Sequence, residues 1–125
     1  MIPIVSHSDN GIIYLETSSL DGEKNLKLKN SLKETQLLYN ESASLSKMMN
    51  GHVDCIAPNG RLYEFDGKIA FTGLKPINQL TAKNLLLRGS KLKNVEWVVG
   101  LVVYTGVDTK VMMNGSKGDT KTSKI

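Results

Sequence analysis

The chain has 125 residues, of which 40% are hydrophobic and 22% charged, with a formal net charge of +4. That is one domain of ordinary size with enough apolar content to enclose a core, which excludes a disordered chain. The basic excess is mild and comes with only four Tyr, two Phe and one Trp, too few for the interleaved basic and aromatic side chains of a nucleic-acid reader, so no nucleic acid is expected as partner.

In chain order, Ile2–Ser6 is short and apolar and reads as a strand, with Pro3 near its start where a missing N–H is tolerated. His7-Ser8-Asp9-Asn10-Gly11 is a turn cluster. Residues 12–17 are β-branched and aromatic and read as a second strand. Asp21-Gly22-Glu23 follows as a turn, because glycine enters positive φ without steric cost. Residues 25–29 alternate with period two, as a half-exposed strand should.

Residues 31–50 are polar, and a short helix is expected over 41–50 with Gly51 as its stop. Residues 52–56 read as a strand, Pro58-Asn59-Gly60 as a turn, and 61–65 as the partner strand of a hairpin. Asp66-Gly67 reads as another turn and 68–72 as another strand. Residues 73–83 carry Pro76 and no clear period, so a loop is expected. Residues 85–90 read as a buried strand ending at Gly89, and 95–105 as the longest core strand. Val107, Val111 and Met112 lie at helical spacing, so 107–114 is expected to be a short helix.

The sum is about eight short strands separated by turns, with one or two short helices, the pattern of a mainly-β sandwich, barrel or jelly roll. Residues 1–114 form the domain. Residues 115–125, of Gly, Ser, Thr and Lys, are expected to be a flexible basic tail. The most apolar run, 97–104, is about eight residues against the roughly twenty of a spanning helix, and residues 1–9 lack the basic start and apolar centre of a leader. Any membrane part is therefore expected outside these residues.

Few side chains are arranged for chemistry. The lone Cys55 forbids an intrachain disulfide, fits a reducing compartment, and has nothing local to lower its pKa. His7 and His52 are far apart without ligand-spaced neighbours, so no metal is expected. Asn40-Glu41-Ser42 and Asn114-Gly115-Ser116 are chance sequons. Gly115-Ser116-Lys117-Gly118 lacks phosphate-loop spacing. The tail lysines Lys117, Lys121 and Lys124 suit the cytoplasmic side of a membrane. What is left is Asp21-Gly22-Glu23. It reads either as a plain hairpin turn or as a stiff mount that presents a carboxylate outward, Glu23 positioning and deprotonating a water. The chain supplies no nucleophile, metal cluster or nucleotide motif beside it, so a substrate for Glu23 would sit on another domain.

Several blocks then become specific. Leu20-Asp21-Gly22-Glu23-Lys24-Asn25-Leu26-Lys27 closely resembles the L-D-G-E-T-N-L-K signature of the type IV P-type ATPases, the phospholipid flippases. Gly11-Ile12-Ile13-Tyr14-Leu15-Glu16-Thr17 resembles the G-x-x-Y-x-E-T lead-in. Pro58-Asn59-Gly60-Arg61-Leu62-Tyr63-Glu64-Phe65 is similar to the P-N-x-x-L-Y-x-F block. Leu85-Leu86-Leu87-Arg88-Gly89 with Leu92-Lys93-Asn94 resembles L-L-L-R-G-C-x-L-R-N-T. Trp97, Gly100, Val102-Val103-Tyr104-Thr105-Gly106 and Asp108-Thr109-Lys110 match W-x-x-G-x-V-V-Y-T-G-x-D-T-K. The blocks run in order over nearly the whole chain.

The resemblance implies an actuator domain between the second and third membrane helices, with a distorted jelly-roll (double-stranded β-helix) fold, on the cytosolic face of a multi-pass membrane protein. Its tail would lead toward a membrane helix outside this chain. It implies that Glu23 directs water onto an aspartyl phosphate of a separate phosphorylation domain, that Gly22 lets the backbone approach that phosphate, and that Asp21 holds the turn. No cofactor is expected in these residues, and ATP and Mg2+ in the parent chain. The implied partners are the phosphorylation and nucleotide-binding domains of that chain, a phospholipid reached through membrane helices and, for many members, a β-subunit of the flippase-chaperone type. These 125 residues alone are expected to be inactive.

Three positions depart from the pattern. Lys24 replaces threonine, Ser90 replaces cysteine and Val95 replaces threonine. An ammonium at Lys24 would attract phosphate or pair with Glu23 and weaken it as a base, although neighbours on an extended chain point to opposite faces. Lys24 therefore keeps open an alternative, a non-catalytic actuator-like module in a degenerate transporter-like half of a larger signalling protein. An unrelated lipid- or sugar-binding jelly roll is a third reading, and makes the block matches coincidence.

Overall fold

A computed structural model describes residues 1–48 and 50–115. Among them, eight strands form three small antiparallel sheets, with two short α-helices and three single 3-10 turns between them and helical residues 110–115 after the last strand. The domain is mainly β and jelly-roll-like, as the turn-punctuated sequence implies.

β1 (Ile2–Ser6) is buried along its whole length and pairs with β8 (Val98–Leu101). The pairing slips between Pro3 and Val5, where proline has no N–H for the ladder. β2 (Ile12–Glu16) alternates strictly, with Ile13 and Leu15 inward. It is the central strand between β3 (Lys27–Asn30) and β7 (Lys91–Lys93). β4 (Gly51–Cys55), β5 (Gly67–Phe71) and β6 (Ile77–Leu80) make the third sheet. The main core gathers Ile2, Val5, Leu32, Ile69, Phe71, Leu80 and Leu85, and a smaller cluster joins Ile13 and Leu15 to Leu86.

Helix α2 (Lys33–Ser42) docks on β1 through the buried polar side chains Thr35 and Gln36, with the half-buried Leu38 and Tyr39 packed against the main core beside them. Thr35 Oγ1 donates to Ile4 O at 2.6 Å. Gln36 Oε1 accepts from Ser6 N at 2.8 Å and from Ser31 Oγ at 2.7 Å, while its Nε2 donates to Ser6 O. Buried polar groups of this kind are tolerable because each finds a partner.

The structure corrects several expected elements. The helix lies at Lys33–Ser42, not 41–50, and Gly51 opens β4 instead of ending a helix. A Cβ on Gly51 would stand 2.1 Å from Ala70 O, so this glycine answers a need for space in the sheet. Residues 61–65 are not a strand, and β4 pairs with β5. Residues 73–83 contain β6 and a 3-10 turn at Ala82–Asn84. Residues 85–90 are buried at Leu85, Leu86 and Leu87 without forming a strand, the adjacent strand being β7. The long strand shortens to Val98–Leu101. A 3-10 turn at Gly106–Asp108 precedes helical residues 110–115. The tail expected over 115–125 lies, from residue 116 on, outside the described residues.

Candidate active site

β2 ends at Glu16 and β3 begins at Lys27, with Leu15 opposite Lys27 as the last rung of their pairing. The segment between is no two-residue hairpin. Ser18–Asp21 form one turn of helix, α1, and Gly22 closes it at φ 74°, ψ −1° with its N–H donating to Ser18 O at 2.9 Å. This is a left-handed C-terminal stop, the conformation glycine adopts without penalty. Leu20 packs on the main core and Ser19 Oγ contacts Gly89 O at 3.4 Å, so the helical turn rests on the 85–90 segment.

Asp21 is the hub. Its Oδ1 accepts the Glu23 N–H at 2.9 Å, and its Oδ2 accepts from Thr17 Oγ1 at 3.1 Å. The Tyr63 hydroxyl, 42 positions away in sequence, also donates to Oδ2. These donors favour the charged form. The Tyr63 hydroxyl and then the Glu23 N–H hold the Asp21 carboxyl below its ordinary value, against a smaller opposing cost of desolvation. Partial burial and then the bond to Asp21 push the Tyr63 phenol up to about 12. Both shifts stabilise the same pair, a neutral phenol donating to a carboxylate.

Glu23 follows the glycine with its side chain 53% exposed and its carboxylate paired with Lys27 Nζ. Lys27 Nζ also lies 5.0 Å from the centre of the Tyr63 ring, within cation–π range. A Cβ at Gly22 would meet nothing within 4 Å, so the face above the turn is open. Asp21, Gly22 and Glu23 thus stand together at one strand-end turn. Lys24 is exposed, and the cation on Glu23 is Lys27 instead. Thr17, Lys27 and Tyr63 belong to the same cluster although spacing alone did not single them out. Their signal lay in the lead-in for Thr17, in the signature itself for Lys27 and in the P-N-x-x-L-Y-x-F block for Tyr63, and that last block joins the turn only once the chain is folded.

Elsewhere, His7 stands 5.9 Å from the Trp97 ring and its Nδ1 accepts from Glu96 N at 3.3 Å. Cys55 is a half-buried free thiol. Among the described residues no group of three His, Cys, Asp or Glu side chains could hold a metal ion, and no helix is long and apolar enough to cross a membrane. A mainly apolar cavity of about 600 Å³ lies away from the turn, between Leu85–Leu87, Val98, Val102 and Tyr104.

No family model matches the chain. Curated proteins match all 125 of its residues. It is 39% identical to "Phospholipid-transporting ATPase FetA" of Mus musculus. It is 41% identical to "Probable phospholipid-transporting ATPase 7" and 42% to "Probable phospholipid-transporting ATPase 4", both of Arabidopsis thaliana. In each case the alignment covers 100% of this chain and 10% of the relative. A mainly-β domain with these relatives is a segment of a P-type ATPase. Within that class the chain belongs to the type IV family, the phospholipid-transporting ATPases, and spans about a tenth of the length of the curated relatives it matches.

Proposed function

We propose that these residues are the actuator domain of a phospholipid-translocating ATPase, working on the cytosolic face of its membrane. Glu23 is the residue that directs a water onto the aspartyl phosphate of a separate phosphorylation domain. ATP and Mg2+, bound elsewhere in the parent chain, supply that phosphate. Its removal drives the step that moves a phospholipid between leaflets, with a β-subunit of the flippase-chaperone type as a further partner.

The observation that carries this reading is a half-exposed carboxylate set one residue past an open, glycine-capped turn. Such a carboxylate serves a substrate brought from outside the domain. Gly22 leaves room for a phosphate to come close, and Asp21 fixes the peptide from which Glu23 projects. A general base must be within hydrogen-bond reach of the proton it takes, and a short rigid mount provides that when two domains meet. The non-catalytic alternative drew on Lys24 as a partner that would disarm Glu23. Lys27 fills that place, and Lys27 is part of the signature the chain resembles.

The test is decay of the labelled phosphoenzyme in the full-length parent, chased in the presence of lipid. Glu23→Gln should keep the phosphate, with decay slowed about 100-fold or more, the scale of general acid–base catalysis. Lys24→Thr should decay as the wild type does. A wild type that never forms or releases phosphate, with no rescue by Lys24→Thr, would establish the non-catalytic module instead.

A further inference from the structure

Tyr63 has no part in the chemistry just described, and the residue is 45% exposed, so burial of an aromatic does not explain its place. It makes two contacts with the turn instead. Its hydroxyl donates to Asp21 and its ring faces the Lys27 ammonium, which is itself paired with Glu23. Each carboxylate is therefore held through Tyr63, Asp21 directly and Glu23 by way of Lys27.

The loop that carries Tyr63 is itself fixed to the body of the domain. Phe65 is buried and meets Tyr104 edge-on, with ring centres 6.2 Å apart. Asn59 Oδ1 accepts from the buried Lys110 Nζ at 2.8 Å, and Asn114 Nδ2 donates to Gly60 O at 3.0 Å. A side chain on an anchored loop that reaches a distant strand-end turn transmits the loop's rigidity to that turn.

We propose that Tyr63 is a positioning residue for Glu23. Its hydroxyl fixes Asp21, whose Oδ1 accepts the Glu23 N–H, and so sets the direction in which the Glu23 side chain leaves the turn. The proposal rests on Glu23 being the dephosphorylation residue. Catalytic groups lose rate when their supporting contacts loosen, because misplacement by about 1 Å is costly.

The experiment compares phosphoenzyme formation and decay in the full-length enzyme for wild type, Glu23→Gln, Tyr63→Phe, Asp21→Ala and the Asp21→Ala/Tyr63→Phe double variant. Phenylalanine keeps the ring for Lys27 and removes only the hydroxyl. Tyr63→Phe should form phosphoenzyme to the wild-type level and release it about tenfold more slowly, a change of about 1.4 kcal/mol in barrier. The double variant should decay no more slowly than Asp21→Ala, since the hydroxyl acts through Asp21. A merely structural tyrosine would give multiplying losses and a lower phosphoenzyme level, and either result overturns the proposal. So does wild-type decay in Tyr63→Phe while Glu23→Gln keeps its phosphate, which leaves the Glu23 reading intact. Wild-type decay in Glu23→Gln overturns both.

Discussion

The dipeptide Asp-Gly occurs at residues 21–22 and again at 66–67. Gly22 sits at φ 74° in open space. Gly67 is a strand residue opposite Cys55, and a Cβ there would stand 3.0 Å from Asp54 O and 3.2 Å from Cys55 Cβ. One glycine is used for its backbone freedom and the other for its lack of a side chain. The aspartates differ in the same way. Asp21 gathers three donors onto its carboxylate, whereas Asp66 contributes its main-chain oxygen to Ile56 N at 3.2 Å. The first pair builds a projecting turn held by side-chain hydrogen bonds. The second leads into β5, the central strand of its sheet. Identical local sequence thus gives an exposed turn in one place and a seam in the other, because the chain packed against it differs.

The contrast is sharpened by placing a methyl group at each glycine. Gly67→Ala crowds the β4–β5 pairing, whose neighbouring atoms must give by a few tenths of an ångström, and should cost about 2 kcal/mol, within the range for overpacking a tight contact. A lower midpoint in urea denaturation of the domain checks it. Gly22→Ala meets no atoms and pays only for the left-handed backbone, about 1 kcal/mol, and Gly22→Asn should recover most of that because asparagine tolerates this region. If Gly22→Ala proves the costlier of the two, the distinction between space and conformation fails.

The mainly-β class, the antiparallel partnership of β2 with β3 and the strand at Ile2–Ser6 were legible in the sequence, since alternation and apolar runs follow directly from the pleat, whereas the expected strands at 61–65 and 85–90 do not form and β6 and β7 stand where no strand was expected. Of the candidate site, only the turn Asp21-Gly22-Glu23 was legible. The helical turn Ser18–Asp21 has no apolar period of its own, and its existence depends on Leu20 seating against the core. Helix α2 falls outside the expected range because its two fully buried side chains, Thr35 and Gln36, carry no hydrophobic signal, and its apolar contacts Leu38 and Tyr39 are only half-buried. Residues 61–65 alternate like a strand, yet the loop is held by Phe65 against Tyr104 and by Arg61 Nη1 with Glu64 Oε2 at 2.8 Å. Tyr63 could not be joined to Asp21 from sequence, since nothing local spans 42 positions.

The smallest effect concerns the bond between Asp21 and Tyr63 itself. Asp21 titrates below its ordinary value of 3.8, so the folded state binds its proton less readily than the unfolded chain. Its contribution is fully present above that ordinary value and is lost as pH falls through the lower, folded one. Tyr63 is displaced upward, from 10.0 to about 12, so its contribution is present below 10.0 and lost as pH rises through about 12. The pair therefore holds the turn across the whole neutral range, and activity near pH 7 should show no limb from either group. The Glu23 amide proton, which donates to Asp21 Oδ1, reports the acid end. Its chemical shift should titrate with a midpoint below 3.8 in the wild type and at higher pH in Tyr63→Phe, because removing the donor that stabilises the carboxylate makes protonation easier. No such movement is expected in Gly67→Ala, whose neighbouring Asp66 holds the chain through its main-chain oxygen. A shift there of similar size would mean that the two Asp-Gly regions are coupled through the loop between them.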